Sequence, residues 1–494
     1  MNFKFYIYFG LIVLLFHFCV SCERPTNPEN ANQPPNTTLA NIPVDGDTIF
    51  ALVTLHWDGE DNDGFIIGYE YRYITHHLFY GDSVVQEWEF TTKPSLTLPF
   101  ESSDEMNYQN FQVRAIDNLN NADSSPAQRH FYTPKTIFPV TEILFPASDQ
   151  QFFIIDQTTD WWVGIKLAFT AHDQDGEVVE YAWSVDGDTA WTWTNDTLLY
   201  IPPGKFSSLD GEHVIRVTSR DNTNLVDPLG DSVIVELIQP SFNKNILIID
   251  ETAESRFPFG VHVTDAEVDS FYARIFNTRD IWNYYKDDGS LTIKDGMPPK
   301  SVLGQYKMII WHADNVYTTE NDNHRLPRHQ EEIMDYMNIG GDFIMSGWRI
   351  LKSFAPNDPF PRVFNPGEFI HDYLHITFVN ETSLIGDFIG AVGVGDFDDV
   401  YVDPAKIPEF PYTGKLAQIN FMPGRAGFTD AIYLYENDLA TGNPAYRSWP
   451  VGIRYYGTVF DAVVLGFPVY FLDLQSAEIL GKQVLKSMGY NLDN

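Results

Sequence analysis

The sequence predicts a three-part chain: two antiparallel β-sandwiches, then an α/β domain built on a parallel sheet. Three observations carry that reading. They are an internal repeat of short alternating strands, a change to alternating strands and helices after Pro240, and a length of 494 residues. At about 150 residues per domain, that length allows three domains. A hydrophobic fraction of 44% with 15% aromatics supplies apolar surface for separate cores.

The chain opens with Lys4, an apolar run over 5–20, and then Ser21-Cys22-Glu23-Arg24-Pro25. A basic start, a short apolar core and a small residue before the break read as an export signal over 1–21, too short for a comfortable bilayer span. Val20-Ser21-Cys22 resembles the bacterial lipoprotein processing site, with Cys19 standing where that family usually has Leu. The resemblance implies a lipidated Cys22 and an exported protein held to the bacterial cell envelope, at the outer membrane, by lipid alone. Cys19 and Cys22 are the only cysteines, so the processed chain has no other thiol and no disulfide. Residues 22–38, rich in Pro and Asn, read as a flexible tether.

A formal net charge of −37 is spread along the chain. Such a field repels nucleic acid, which is excluded as a partner, and favours retention of divalent cations.

The repeat contains Asp61-Asn62-Asp63-Gly64 ahead of Tyr69-Glu70-Tyr71, and Asp173-Gln174-Asp175-Gly176 ahead of Tyr181-Ala182-Trp183. Each copy reads as strand, tight turn, strand, and each closes on a later strand ending in Asp-Asn, at 117–118 and 221–222. The pattern resembles bacterial fibronectin type III and immunoglobulin-like modules over 34–133 and 139–240.

The same turns offer oxygen donors at EF-hand-like spacing. Asp61, Asp63 and Glu70 fit around Gly64, but Gly59 replaces the first acid; Asp173 and Asp175 fit around Gly176, but Ala171 and Ala182 fail. Aspartates bonding their own backbone are the simpler account. Asp396, Asp398 and Asp399, near Asp387 and Asp403, form a second cation candidate or a solvated loop. No cofactor is required by these residues, and calcium is the one candidate. Trp161-Trp162 and Trp191-Thr192-Trp193 suit either sugar stacking or a core stripe, and alternation favours the core.

Beyond Pro240, residues 245–250 are an apolar run ending in an acid, as parallel core strands often do. Thr264 and Glu267 make a capping box before Val268, Phe271, Tyr272, Ile275 and Phe276 at helical spacing. A strand over 306–311, a helix over 329–339 stopped by Gly340-Gly341, a strand over 342–346 and a terminal strand–helix pair complete the alternation. That order predicts a parallel sheet with helices on both faces. It resembles the flavodoxin-like, class I glutamine amidotransferase-like fold over 243–494, with 352–449 departing as a large insertion. Amidotransferases of that fold carry a nucleophilic cysteine on the turn that here spans 343–349. Ser346 stands in that turn and no cysteine does, so the resemblance implies a member without its amidotransferase site.

The expectation is a non-enzymatic envelope protein whose sandwiches act as spacers. Its last domain would bind a glycan, peptide or protein partner at the strand ends, through Asp250, Glu251, His312, Asn315, Trp348 and Arg349. Two alternatives stay open. One is a hydrolase using Ser346 with His312 and Asp314, or a cation held by an acidic loop, although Ile344 and Trp348 occupy the glycine positions of the Gly-x-Ser-x-Gly elbow. The other is a purely structural envelope component. His324 and His329 lack metal-ligand spacing and are expected in ordinary supporting roles.

Overall fold

The computed structural model describes residues 32–490 except 42, 101, 104, 175, 255–256, 258–261, 287–291, 316–322, 385 and 408–413. The export signal, Cys22, most of the tether and Asp175 lie outside the described residues. Among the described residues, no helix is long and apolar enough to cross a membrane.

The first module contains β1 (Asn36–Leu39), β2 (Leu52–Glu60), β3 (Ile66–His77), β4 (Ser83–Val85), β5 (Glu89–Thr91), β6 (Ser95–Pro99), β7 (Met106–Asp117) and β8 (Ala127–Pro134). One sheet runs β1-β2-β6, and the facing one runs β4-β3-β7-β8 with β5 also on β3. Alternation decides which residues meet between them: Val53, Leu55 and Trp57 from β2 point inward, as do Phe111, Val113 and Ala115 from β7. Trp57 stacks on Phe111 at 5.7 Å and on Tyr71 at 6.4 Å.

The second module repeats the scheme with β9 (Val140–Phe145), β10 (Gln150–Phe153), β11 (Ile165–His172), β12 (Val178–Val185), β13 (Thr192–Thr194), β14 (Leu198–Ile201), β15 (Gly211–Asp221) and β16 (Asp231–Ile238). Its sheets run β14-β11-β9 and β10-β16-β15-β12-β13. Both Asp-x-Asp-Gly turns lock in the same way. Asn118 Oδ1 accepts from Phe65 N at 3.0 Å, and Asn222 Oδ1 accepts from Glu177 N at 3.2 Å. An added Cβ on Gly64 or Gly176 would fall 2.2 Å or 2.4 Å from those same amide oxygens, so only glycine fits.

The C-terminal part holds β17 (Lys244–Asp250), β18 (Ile281–Asn283), β19 (Tyr306–Ala313), β20 (Asp342–Gly347), β21 (Arg362–Val363), β22 (Phe378–Glu381), β23 (Phe388–Gly393), β24 (Val400–Tyr401), β25 (Asn420–Phe421), β26 (Thr429–Asn437), β27 (Pro450–Tyr455) and β28 (Ala462–Leu465). Among the described residues a nine-stranded sheet runs β18-β17-β19-β20-β28-β27-β26-β23-β24. It is mixed rather than parallel. Pairing is parallel from β18 through β28 and antiparallel from β28 through β24. The stretch 352–449 is no insertion outside this layout, because β23, β24 and β26 extend the sheet itself.

Helices α1 (Asp265–Ile275), α2 (Gln330–Asn338) and α3 (Leu474–Ser487) cover its faces. Ile246, Ile248, Met308, Ile310 and Ile344 pack with α1 and α3. On the opposite face Leu247, Ile249, Ile309, Trp311, Phe343 and Met345 pack with Ile333, Tyr336 and Met337 of α2. That same apolar cluster takes in Phe153, Leu237 and Ile238 of the second module. The second module is therefore seated on the sheet, whereas the first keeps its own cluster.

Trp191 and Trp193, expected in a core stripe, are each 39% exposed. For Trp193 the reason is a cross-strand cation: the Arg220 guanidinium lies 4.0 Å from its ring and pairs with Glu180 at 2.7 Å. The first module has the same device, with Arg114 4.3 Å from Trp88 and paired with Glu70 at 2.6 Å.

Candidate functional site

The carboxyl ends of β17, β19 and β20 meet side by side, with Asp250 opposite His312 and His312 opposite Ser346. Sites in open α/β sheets gather at such ends. Here the end is filled with polar side chains and closed to solvent. Asp250, Glu251, His312, Asp314, Asn315, Ser346 and Trp348 are each at most 1% exposed, and Arg349 is 9% exposed.

Each side chain is held by a neighbour. Glu251 accepts from Trp311 Nε1 at 2.9 Å, from Leu326 N at 3.2 Å and from Arg325 N. Burial alone would raise its pKa; the His324 ring, Arg325 N–H and Trp311 N–H outweigh burial and hold the carboxylate below its usual value. Trp348 donates Nε1–H to Ala417 O at 2.8 Å, and Arg349 grips Glu381 through two bonds of 2.9 and 3.0 Å. Asn315 Oδ1 accepts from Ala253 N at 3.3 Å. These side chains form an internal network, so the expected open binding surface at Asp250, Glu251, His312, Asn315, Trp348 and Arg349 is not what the geometry offers.

Nor do Ser346, His312 and Asp314 form a relay. Ser346 Oγ lies 3.2 Å from Tyr272 Oη, and Tyr272 donates to Asp314 at 2.8 Å. His312 stacks face to face on the Tyr272 ring at 3.6 Å and 6°. Neither ring nitrogen of His312 has a hydrogen-bond partner among the described residues. Burial lowers its pKa to about 4, so the imidazole is neutral at pH 7 and its 3.5 Å approach to Asp250 is no ion pair. Ser346 is paired within β20, and the left-handed backbone falls at Arg349 (φ 60°). A nucleophile elbow would put its strain at the serine.

The remaining acids behave as turns. Asp61 Oδ1 accepts from Asp63 N at 3.2 Å. Asp63 bonds Gln33 N at 3.1 Å, and Glu70 is committed to Arg114 rather than to the turn. Asp173 is buried beside Gly176. Asp396, Asp398 and Asp399 are exposed; Asp398 takes an amide hydrogen bond from Gln483 at 3.0 Å, and Asp399 takes one from Gly393 N at 2.9 Å.

Two residues were missed by sequence reasoning. Asp265 and Asp269 of α1 lie beside Asp250, and one carboxylate oxygen from each of the three falls within 4.8 Å of the others. The signal was present: 265, 269 and 272 share one stripe of the helix, so the buried Asp265 and the half-buried Asp269 lie on its inward side. The capping box drew attention to Thr264 and Glu267 instead. Burial, then the charge of Asp269, push the Asp250 pKa well up.

A separate cleft of about 420 Å³ lies where the second module meets the C-terminal sheet domain. Its walls include Phe152, Trp161, Tyr200, Asp335, Asn338 and Tyr373. Trp161 packs on Tyr373 at 5.1 Å and on Phe460 at 4.9 Å.

No family model matches the chain. No curated protein matches it either. Its structural neighbours include the fibronectin(III)-like modules of Clostridium thermocellum CbhA, at 17% identity and TM-score 0.22 over 41% of this chain and 95% of that one. A second neighbour is a β-galactosidase from the Antarctic haloarchaeon Halorubrum lacusprofundi, at 16% identity and TM-score 0.31 over 50% of this chain. The FN1–FN3 domains of chicken CNTN1 match at 12% identity and TM-score 0.19 over 42% of this chain. The chain spans 30% of the β-galactosidase and 65% of the CNTN1 fragment. At such scores the sandwich architecture rests on strand pairing, not on these likenesses.

Proposed function

We propose that this is a lipid-anchored envelope protein that recognises a partner and does no chemistry on it. The observation that carries the reading is the state of Ser346. It is the hydroxyl on the turn where an amidotransferase-like domain would present its thiol, and it is 1% exposed and bonded to Tyr272. The amidotransferase-like reading itself draws on the order β17-α1-β19-α2-β20 and on the β28-α3 pair, with the antiparallel half as a departure from that fold. The anchoring at Cys22 and the outer-membrane location rest on the leader sequence.

The partner meets the protein at the cleft between the second module and the sheet domain. Clefts of this size at domain junctions, with apolar walls and a few polar groups, suit ligands. The exposed Tyr200 ring and the half-buried rings of Trp161 and Tyr373, beside Asp335, Asn338 and Gln150, suit a glycan in particular. The second module is then one wall of the site, and the first module is the spacer.

Binding of the full chain to glycan and peptide arrays tests this, with Tyr200→Ala as the variant because that ring is 47% exposed and outside the core. Glycan binding lost in Tyr200→Ala is the expected result. No binding to any array member, or labelling of Ser346 by a fluorophosphonate, would overturn the reading.

A further inference from the structure

We propose that Asp250, Asp265 and Asp269 hold a hard divalent cation, calcium, which clamps helix α1 to the end of strand β17. The site is separate from the cleft and does not rest on the function proposed there.

The three carboxylates come from two elements, and one oxygen of each lies within 4.8 Å of the other two. Calcium takes oxygen donors at about 2.3–2.6 Å, so oxygens up to about 5 Å apart can share one ion. Asp250 is 1% exposed, where an uncompensated carboxylate is costly. Asp250 Oδ2 and Asp269 Oδ1 are buried and take no hydrogen bond among the described residues. No lysine or arginine among the described residues pairs with either of them. The all-oxygen donor set selects a hard ion over a thiophilic one.

An independent feature points into the same place. His312 is fully buried, its Nδ1 stands 3.5 Å from Asp250 Oδ1, and neither ring nitrogen has a hydrogen-bond partner among the described residues. A buried imidazole edge with nothing to bond, facing Asp250 of the three converging carboxylates, fits a metal-site wall. On the other side, the Asn283 amide bridges Asp265 at 3.0 Å and Asp269 at 3.3 Å and fixes their spacing.

The rival account is a helix terminus that welcomes acids. It covers Asp265, which lies in the first turn of α1 beside the Thr264–Glu267 capping box. It does not cover Asp269, a full turn further along, or Asp250, which belongs to the strand.

The test is calorimetric titration of the EDTA-stripped full chain with calcium chloride, comparing wild type with Asp269→Asn, Asp265→Asn and the exposed-loop control Asp398→Asn. Saturable binding is expected in the wild type and in Asp398→Asn. Asp269→Asn and Asp265→Asn should bind at least about tenfold more weakly, a loss of about 1.4 kcal/mol or more. Asp269→Asn should melt no lower than wild type in EDTA, because it removes a like charge facing Asp250. Identical isotherms for Asp269→Asn and wild type, or no saturable binding by wild type, would overturn the assignment. So would an Asp269→Asn chain that melts lower than wild type in EDTA, since its carboxylate would then be an ordinary structural acceptor.

Discussion

Asp227 in the second sandwich and Asp250 at the end of β17 are both buried aspartates, yet the protein treats them oppositely. Asp227 accepts from Thr141 N at 2.9 Å and from Leu229 N and Gly230 N, both at 3.0 Å. Burial pushes its carboxyl up, but those donors outweigh burial and hold it below the usual range. Asp250 accepts from Thr252 N at 2.6 Å, and burial, with the charge of Asp269 behind it, pushes its carboxyl well up. Burial alone thus does not decide the fate of an acid; the count of donors facing it does. Asp342, at the start of β20, is an intermediate case. Asp461 N and the Tyr490 hydroxyl each donate to it at 2.7 Å, yet burial, with a smaller push from Asp461, raises it to about 6.

The largest expected effect falls on the well-served acid. Asp227→Ala strands three backbone donors and should lower the unfolding free energy by about 3 kcal/mol, read by urea denaturation at pH 7. A loss below about 1 kcal/mol would erase the contrast with Asp250. Next comes Asp342→Asn, whose sign depends on pH. The folded pKa of Asp342 lies above the unfolded one, so its stabilising contribution is full below about pH 4 and is lost as pH rises through about 6. The carboxamide should therefore be more stable than wild type by about 2 kcal/mol at pH 8 and equal to it near pH 4. A carboxamide that melts lower than wild type at pH 8 would place Asp342 with Asp227 instead.

A smaller gain, about 1 kcal/mol, is expected for Asp269→Asn in EDTA, where it removes the charge facing Asp250. Thermal denaturation reads it, and a loss would break the contrast from the other side. Least affected should be Ser346→Ala, which gives up one hydroxyl contact to Tyr272. A change under about 1 kcal/mol is expected, with fluorophosphonate labelling absent in both chains.

The strands of the sandwiches were readable because their alternation survives intact, as in the inward Val53, Leu55 and Trp57 of β2. The continuous apolar runs of β17, β19 and β20 were equally plain, since both faces of those strands are covered. The antiparallel half of the large sheet was hidden by its irregularity. Register shifts at Phe388/Gly390 and at Ala431/Tyr433 break the period that a sequence reader relies on. At the candidate site, Asp250, His312 and Ser346 were correctly placed at neighbouring strand ends, but their burial was not legible. It depends on side chains distant in sequence, such as Trp348 reaching Ala417 and Arg349 reaching Glu381. Glu70 misled for a simple reason: spacing from Gly64 does not reveal that Arg114 stands across the strand.

The single apolar cluster joining Phe153 and Leu237 to Ile309 and Trp311 has a mechanical consequence. Under tension the first sandwich can give way by itself, because its apolar cluster is its own and includes no residue of the sheet domain. Prising off the second would bare one face of the great sheet to water. The chain is thus built as one yielding link in series with one rigid block.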